Sequence, residues 1–269
     1  MSDTHTQFVG SIPETYDEHL GPLLFHFYAE DLANRLRISA GGKVLETACG
    51  TGIATAFLRK ALPDSVEITA TDLNEPMLAF ARTKHGGLRN AAFEQASALS
   101  LPYDDATFDA VVCQFGIMFF PDKLVALKEA ARVLRPGGQL LFNVWDSFDR
   151  NPIVRIAFDT IAGFFTEDPP TFLAMPFGFY QIDPVKLLLH EAGFVGIDIA
   201  VVPTVVERPS AAHAAEGLVA GNPGILEIHA RGTATSAQVI TAVTDKVIEA
   251  FGDNPMRTPL QAIVFSAAR

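Results

Sequence analysis

The sequence predicts an α/β fold, a doubly wound and largely parallel sheet, on three observations. Short apolar runs alternate with helical patterns between residues 43 and 145, joined by short loops. The first run, Lys43 to Thr47, breaks into the glycine turn Gly50-Thr51-Gly52, which leads straight into a helical pattern. After residue 150, two further strand patterns enclose helical ones. That order fits a seven-stranded sheet whose final hairpin holds one antiparallel strand.

The elements follow in order. Glu14 to Arg37 carries Leu20, Leu23, Leu24, Phe27, Leu32 and Leu36 at helical spacing. Pro22 is expected to divide this stretch into two helices, because it lacks an N–H and clashes with the preceding turn. Lys43–Thr47 reads as the first strand, and Ile53–Ala61 as a helix that ends before Pro63. Val66–Thr71 alternates as a strand and stops at Asp72. Pro76–Arg82 is a helix, with Asn74 as its N-cap and Pro76 in its first turn. Ala91–Gln95 and Phe108–Gln114 are strands, and Asp122–Leu134 is a helix. The turn Pro136-Gly137-Gly138 precedes the strand Gln139–Trp145. Beyond it, residues 151 to 182 are rich in phenylalanine, and Asn151-Pro152 and Asn222-Pro223-Gly224 read as loop turns. Pro184–Ala192 is a helix capped by Asp183 and closed at Gly193. Val195–Val206 is a strand, Ala211–Ala220 and Thr235–Ala250 are helices, and Leu260–Phe265 is the last strand.

Composition narrows the function. The 269 residues are 49% hydrophobic, enough for a sizeable core. No apolar run is long enough to span a membrane. Met1 to Gly10 is polar and lacks the basic-then-apolar order of a secretory leader. Cys49 and Cys113 make neither a disulfide framework nor a metal site. No metal is expected, and the reducing cytoplasm is the expected compartment. A net charge of −11 disfavours a nucleic-acid partner, whose phosphates need Lys and Arg, and favours a small-molecule substrate.

The glycine turn admits two readings. A dinucleotide site needs G-x-G-x-x-G, and here Gly50 and Gly52 are followed by Thr55 where the third glycine would stand. Glu46, four residues before Gly50, would repel a pyrophosphate and suits a cationic or hydroxylated ligand. Asp72 ends the second strand, where its carboxylate can accept two hydrogen bonds from a ribose diol. Both readings predict that acid, and it could equally be a helix-capping residue. Leu73 and Met77 form an apolar pair suited to one face of an adenine, or to ordinary core packing.

Glu46-x-x-x-Gly50-x-Gly52 resembles motif I of the class I S-adenosyl-L-methionine (SAM) methyltransferases. The stretch Gln95-Ala96-Ser97-Ala98, then Leu101-Pro102-Tyr103, then Phe108-Asp109-Ala110-Val111 is similar to that family's third and fourth strand region. Gln114-Phe115-Gly116 and Leu134-Arg135-Pro136-Gly137-Gly138 resemble its fourth-strand loop and its turn before the fifth strand. The matches run from residue 43 to residue 145 in the family's order.

The resemblance implies a Rossmann-like domain over residues 1–269. Residues 1–40 would form a helical lid, 41–147 the SAM-binding core, and 148–182 with 207–255 substrate-lid segments on the C-terminal strands. It implies that Glu46 holds the methionine amino group, usually through water, and that Ala48, Gly50, Thr51 and Gly52 pass under the ligand. It further implies adenine contacts from Ser97 and Ala98, a lid role for Tyr16 and cofactor contacts from Gln114 and Phe115 of the fourth-strand loop, with Leu73 and Met77 counted among the cofactor-binding residues. Ser97 stands where the family has an aspartate; its hydroxyl can still accept a hydrogen bond but carries no charge.

The expected activity is methyl transfer to an apolar or aromatic small molecule, leaving S-adenosylhomocysteine. There is no Asn-Pro-Pro-Tyr type motif, which would point to amide or base nitrogen methylation. No base is evident: His19, His26, His190, His213 and His229 qualify by type, and His19 is singled out because it lies three residues from Tyr16. The phenylalanines from 151 to Tyr180 suit an apolar acceptor; equally, they could pack the lid or form a homodimer contact. Two alternatives remain: a SAM-binding protein of this fold without methyl transfer, and a nicotinamide oxidoreductase.

Overall fold

The computed structural model describes residues 7–269, so the first six residues of the expected N-terminal lid lie outside the described chain. Helix α1 is Ile12–Thr15, Tyr16–Phe25 is π-helical, and α2 is His26–Arg35. Pro22 does not end the helix, contrary to the expectation. The backbone adopts π geometry from Tyr16 to Phe25, with Pro22 inside it. The wider turn relieves the clash that an α-helical carbonyl would make with the proline ring.

Strand β1 (Lys43–Thr47) is followed by α3 (Ile53–Ala61), β2 (Glu67–Asp72), α4 (Glu75–His85), β3 (Ala91–Gln95) and β4 (Phe108–Gln114). Then come α5 (Lys123–Val133), β5 (Leu134–Trp145), α6 (Pro152–Ala162), α7 (Ile182–Glu191) and β6 (Val195–Arg208). Helices α8 (Ala211–Ala220), α9 (Gly224–Arg231) and α10 (Ser236–Phe251) precede β7 (Met256–Ala268).

The seven strands form one sheet in the order β3-β2-β1-β4-β5-β7-β6. β1 pairs in parallel with β2 and β4, β2 with β3, and β4 with β5, whereas β5 and β7 are antiparallel. The chain winds outward from β1 in one direction and from β4 in the other, so the switch point lies between them. Glu46 stands in register with Ala70 on β2 and Val112 on β4, and Gln114 with Asn143 on β5. The carboxyl ends of the central strands therefore open on one crevice.

Two compact units are distinguishable. One comprises His26–Trp145, Phe179–Val202 and Ala262–Arg269. Its core sets Val44, Ile68, Ala110, Val112 and Leu141 of the strands against Leu32 of α2, Leu36 just beyond its end and Leu58 of α3. The other comprises residues 7–25, Asp146–Gly178 and Pro203–Gln261. There α10 packs on α6 and α8, burying Val239, Val243 and Val247 at four-residue spacing. Full burial of each such side chain contributes roughly 1.5–3 kcal/mol.

Other departures from the sequence reading have local causes. β5 starts at Leu134, not Gln139, because Gly137 N–H donates to the Arg269 carbonyl (3.1 Å) and Arg269 N–H to that of Gly138 (3.0 Å), drawing the expected turn into the strand. Gln181, not Asp183, is the N-cap of α7, and Asp183 lies in its first turn, where its charge favours the helix dipole. Asn151-Pro152 and Asn222-Pro223-Gly224 open α6 and α9. Among the described residues, no helix is long and apolar enough to cross a membrane.

Candidate functional site

The crevice is built on the loop after β1. Ala48, Gly50 and Gly52 all have positive φ (54°, 56° and 82°), which folds the backbone into a tight cradle. At Gly52 a Cβ would lie 2.8 Å from His85 Cδ2 and 3.2 Å from the Phe93 ring, so only glycine lets the loop seat against α4 and β3. Ala48 adopts a conformation that disfavours a side chain. Its Cβ fits because Gly116 has none: a Cβ there would meet it at 2.4 Å.

Asp72 ties this loop to β2. Its Oδ2 accepts from Gly50 N–H and its Oδ1 from Asn74 N–H, both at 2.8 Å. A carboxylate has about four acceptor sites, so capacity remains for a further donor. Burial raises the Asp72 pKa, against the pull of the N–H groups of Asn74, Gly50 and Leu73. The Asn74 side chain caps α4 by accepting from Met77 N–H at 3.1 Å. That cap places buried Met77 beneath Gly50, while Leu73 is 65% exposed.

Glu46 is 1% exposed at the end of β1. Its Oε2 accepts from the Thr55 hydroxyl of α3 at 2.6 Å, and no Lys, Arg or His among the described residues pairs with it. Burial pushes its pKa from 4.5 up to about 8; the Thr55 hydrogen bond opposes this and nearby Asp72 adds to it. Thr51 is equally buried, and its hydroxyl has no hydrogen-bond partner among the described residues.

Ala96 N–H donates to the Asp72 carbonyl (3.1 Å), which brings the loop of Ser97 and half-buried Ala98 beside the Asp72 segment. The Ser97 hydroxyl accepts from Leu99 N–H at 3.2 Å. Gln114 closes β4. Phe115 has φ 48°, its N–H donates to Asn143 Oδ1 (2.9 Å), and its ring stacks on Trp145 at 4.0 Å. The Phe115 ring thus sits in an aromatic cluster with Tyr28 and Trp145, and Phe115 shapes the crevice through its backbone.

Glu46, Ala48, Gly50, Thr51, Gly52, Asp72, Leu73 and Met77 are therefore assembled around one loop, with Ser97, Ala98, Gln114 and Phe115 on the adjoining strand ends. Tyr16 and His19 belong to the other unit. Tyr16 stacks on Phe25 at 4.9 Å and meets Phe8 edge-on at 6.0 Å. The His19 ring stands 5.4 Å from that of His213, with Nε2 3.9 Å from Glu216 Oε2 on α8. Several of the phenylalanines from 151 onward pack on aromatic neighbours in this unit: Phe158 and Phe177 both stack on Phe148. Among the described residues, no group of three or more His, Cys, Asp or Glu could hold a metal ion. Sequence reasoning missed two polar partners, Thr55 and Asn143. Thr55 stood out only as a missing glycine, and the one available signal for Asn143 is that it is a polar residue within an apolar strand.

This strand order, with an acid before a glycine cradle at the switch point and a second acid ending β2, is the arrangement that the resemblance to the class I SAM-dependent methyltransferases implies. Residues 44–138 match the model of a methyltransferase domain family. Demethylmenaquinone methyltransferase of Staphylococcus aureus is 40% identical over 104 residues, which cover 39% of this chain and 43% of that protein. The chain thus spans less than half the length of the curated relatives it matches. The YcgJ protein from Bacillus subtilis shares the fold with a TM-score of 0.59 at 19% identity, over 91% of this chain and 99% of its own. The cyclase SpnF does so with a TM-score of 0.58 at 21% identity, over 92% and 82%.

Proposed function

We propose that this chain binds SAM in the crevice after β1 and transfers its methyl group to a small-molecule acceptor, apolar or aromatic in character. The observation that carries the reading is Glu46: a buried acid with no described cation beside it, at the mouth of a glycine cradle. SAM brings the matching cation, because its methionine part has an ammonium group and its sulfur is a sulfonium. Burial without a cationic partner disfavours the ionised form of that acid, and a cationic ligand would supply the missing partner, so a site is prepared for it. Asp72 would hold the ribose diol through its remaining lone pairs, and Met77 and Leu73 would flank the adenine. Ser97 and Ala98 would meet the adenine edge.

When bound, SAM supplies the reactive methyl group. The protein's part is to hold the donor, orient the acceptor and exclude water. A base is required only for an acceptor that must lose a proton. Support for an apolar acceptor comes from the phenylalanine-rich segment and from the name of the staphylococcal relative, whose acceptor is demethylmenaquinone. The net charge of −11 and the two free cysteines favour a small-molecule partner and a reducing, cytoplasmic setting.

Calorimetry with SAM and S-adenosylhomocysteine tests the reading. Both should bind, and Glu46→Ala or Asp72→Ala should weaken binding by about 1.5–3 kcal/mol, as for a lost charged hydrogen bond. No binding to the purified protein sinks the proposal. A second reading, SAM binding without transfer, draws on the fold shared with a cyclase and on the pairing of His19 with α8. Formation of S-adenosylhomocysteine with a quinol or phenol acceptor decides against it.

A further inference from the structure

We propose that Thr55 is a positioning residue of this site: its hydroxyl fixes one oxygen of Glu46 so that the other faces the cationic part of the ligand. The inference rests on the methyltransferase reading above and adds a residue to it. Thr55 lies in the first turn of α3 and is fully buried. Its side chain spans from helix to strand, where a dinucleotide site would have a glycine for close packing. A buried hydroxyl needs a partner, and Thr55 finds it in Glu46 Oε2 at 2.6 Å. The first turn of α3 and full burial hold the hydroxyl in place, so the bond fixes the orientation of the carboxyl. No described group donates to Oε1, which leaves that oxygen for a ligand.

The rest of the surroundings supplies nothing equivalent. The Thr71 hydroxyl of β2 donates to the Glu46 backbone carbonyl, not to its carboxyl. The titratable groups facing Glu46 are Asp72 of β2, the Cys49 thiol of the loop and the Cys113 thiol of β4, and none of them brings a positive charge. Among the described residues, the Thr55 hydroxyl is thus the one side-chain donor that favours the ionised carboxyl before a ligand arrives, against the effect of burial.

Titration of S-adenosylhomocysteine into wild type, Thr55→Val and Thr55→Ser, from about pH 6.5 to about pH 9, tests this. Valine matches threonine in shape and lacks only the donor. Near pH 7 the valine variant should bind roughly tenfold more weakly, and serine should stay within about threefold of wild type. The deficit of the valine variant should shrink toward high pH, because without the donor Glu46 keeps its proton to a higher pH. Equal affinity of Thr55→Val and wild type overturns the proposal, as does a deficit that is constant with pH. Should the valine variant unfold on heating well below wild type, Thr55→Ala with serine as the rescue carries the same comparison. Failure of wild type to bind the ligand at any pH counts instead against the methyltransferase reading.

Discussion

Glu46 carries an unusual proton balance into the fold. Its ordinary pKa of 4.5 rises to about 8 in the folded chain, and burial is the main cause. Between those values the folded form holds a proton that the unfolded form releases. The contribution of this group to stability is full below about pH 4.5 and is lost as pH rises toward 8, by up to about 1.4 kcal/mol per pH unit. Asp72 shifts in the same direction and adds to the slope. Urea unfolding of the empty protein should therefore give a stability that falls from about pH 5 to about pH 8, and Glu46→Gln should flatten much of the fall. Parallel slopes for the two proteins would show that Glu46 is not the group responsible. The same scale governs the contact of Ala48 with Gly116. Gly116→Ala should cost about 1–3 kcal/mol through overpacking against the Ala48 Cβ and the Cys113 Sγ. Ala48→Gly should recover part of that loss in a double-mutant cycle, with a coupling above about 0.5 kcal/mol; simple additivity would contradict the contact.

At the scale of elements, Asn151 shows how a polar side chain can fasten a strand exit. It is wholly buried, its Nδ2 donates to the carbonyls of Asp146, Ser147 and Gln261, and its Oδ1 accepts from Gln261 N–H. One residue thus joins the end of β5, the start of α6 and the middle of β7. Asn151→Ala strands several of these buried groups and should cost about 2–5 kcal/mol in chemical denaturation, whereas a loss below about 1 kcal/mol would mean that the joint is dispensable. Read locally, Asn151-Pro152 has the chemistry of a turn, and the same dipeptide also places proline in the first turn of a helix; only the long-range partner Gln261 separates the two. Asn222-Pro223 is ambiguous in the same way at α9, although the partners of Asn222, Leu218 and Gly224, are local. The π-helical turn at Tyr16–Phe25 was illegible because side-chain periodicity does not report backbone widening. By contrast β1, α3, β3 and β4 were legible to the residue, since short apolar strands and glycine turns are local signals. The site divides likewise: Glu46, the glycines and Asp72 are spaced along the chain, whereas the bonds of Glu46 to Thr55 and of Phe115 to Asn143 exist only after folding.

For the molecule as a whole, alternating strands and helices made a seven-stranded doubly wound sheet predictable, but not the character of its two edges. β3 ends one side and is short, with Glu94 and Gln95 exposed, a composition that discourages further pairing. β6 ends the other side and is 14 residues long. It exposes Val195, Val201 and Val205, the last at 67%, and is interrupted for pairing only by Pro203, which has no N–H to give. Such an edge invites a strand from another chain. The net charge of −11 opposes that association at low ionic strength, because the screening length is long there and like-charged chains repel. The balance should therefore tip with salt. Sedimentation of the wild type should show little association at about 10 mM salt and clear association near about 1 M, where screening reaches only about 3 Å. Val205→Lys places a charge on the exposed edge and should suppress the high-salt species with a melting temperature close to that of wild type, since surface changes of this kind alter stability by about 0.5 kcal/mol or less. A wild type that stays monomeric across the salt range, or a lysine variant that associates as readily, would show that the β6 edge is already protected and that its exposed valines are inert.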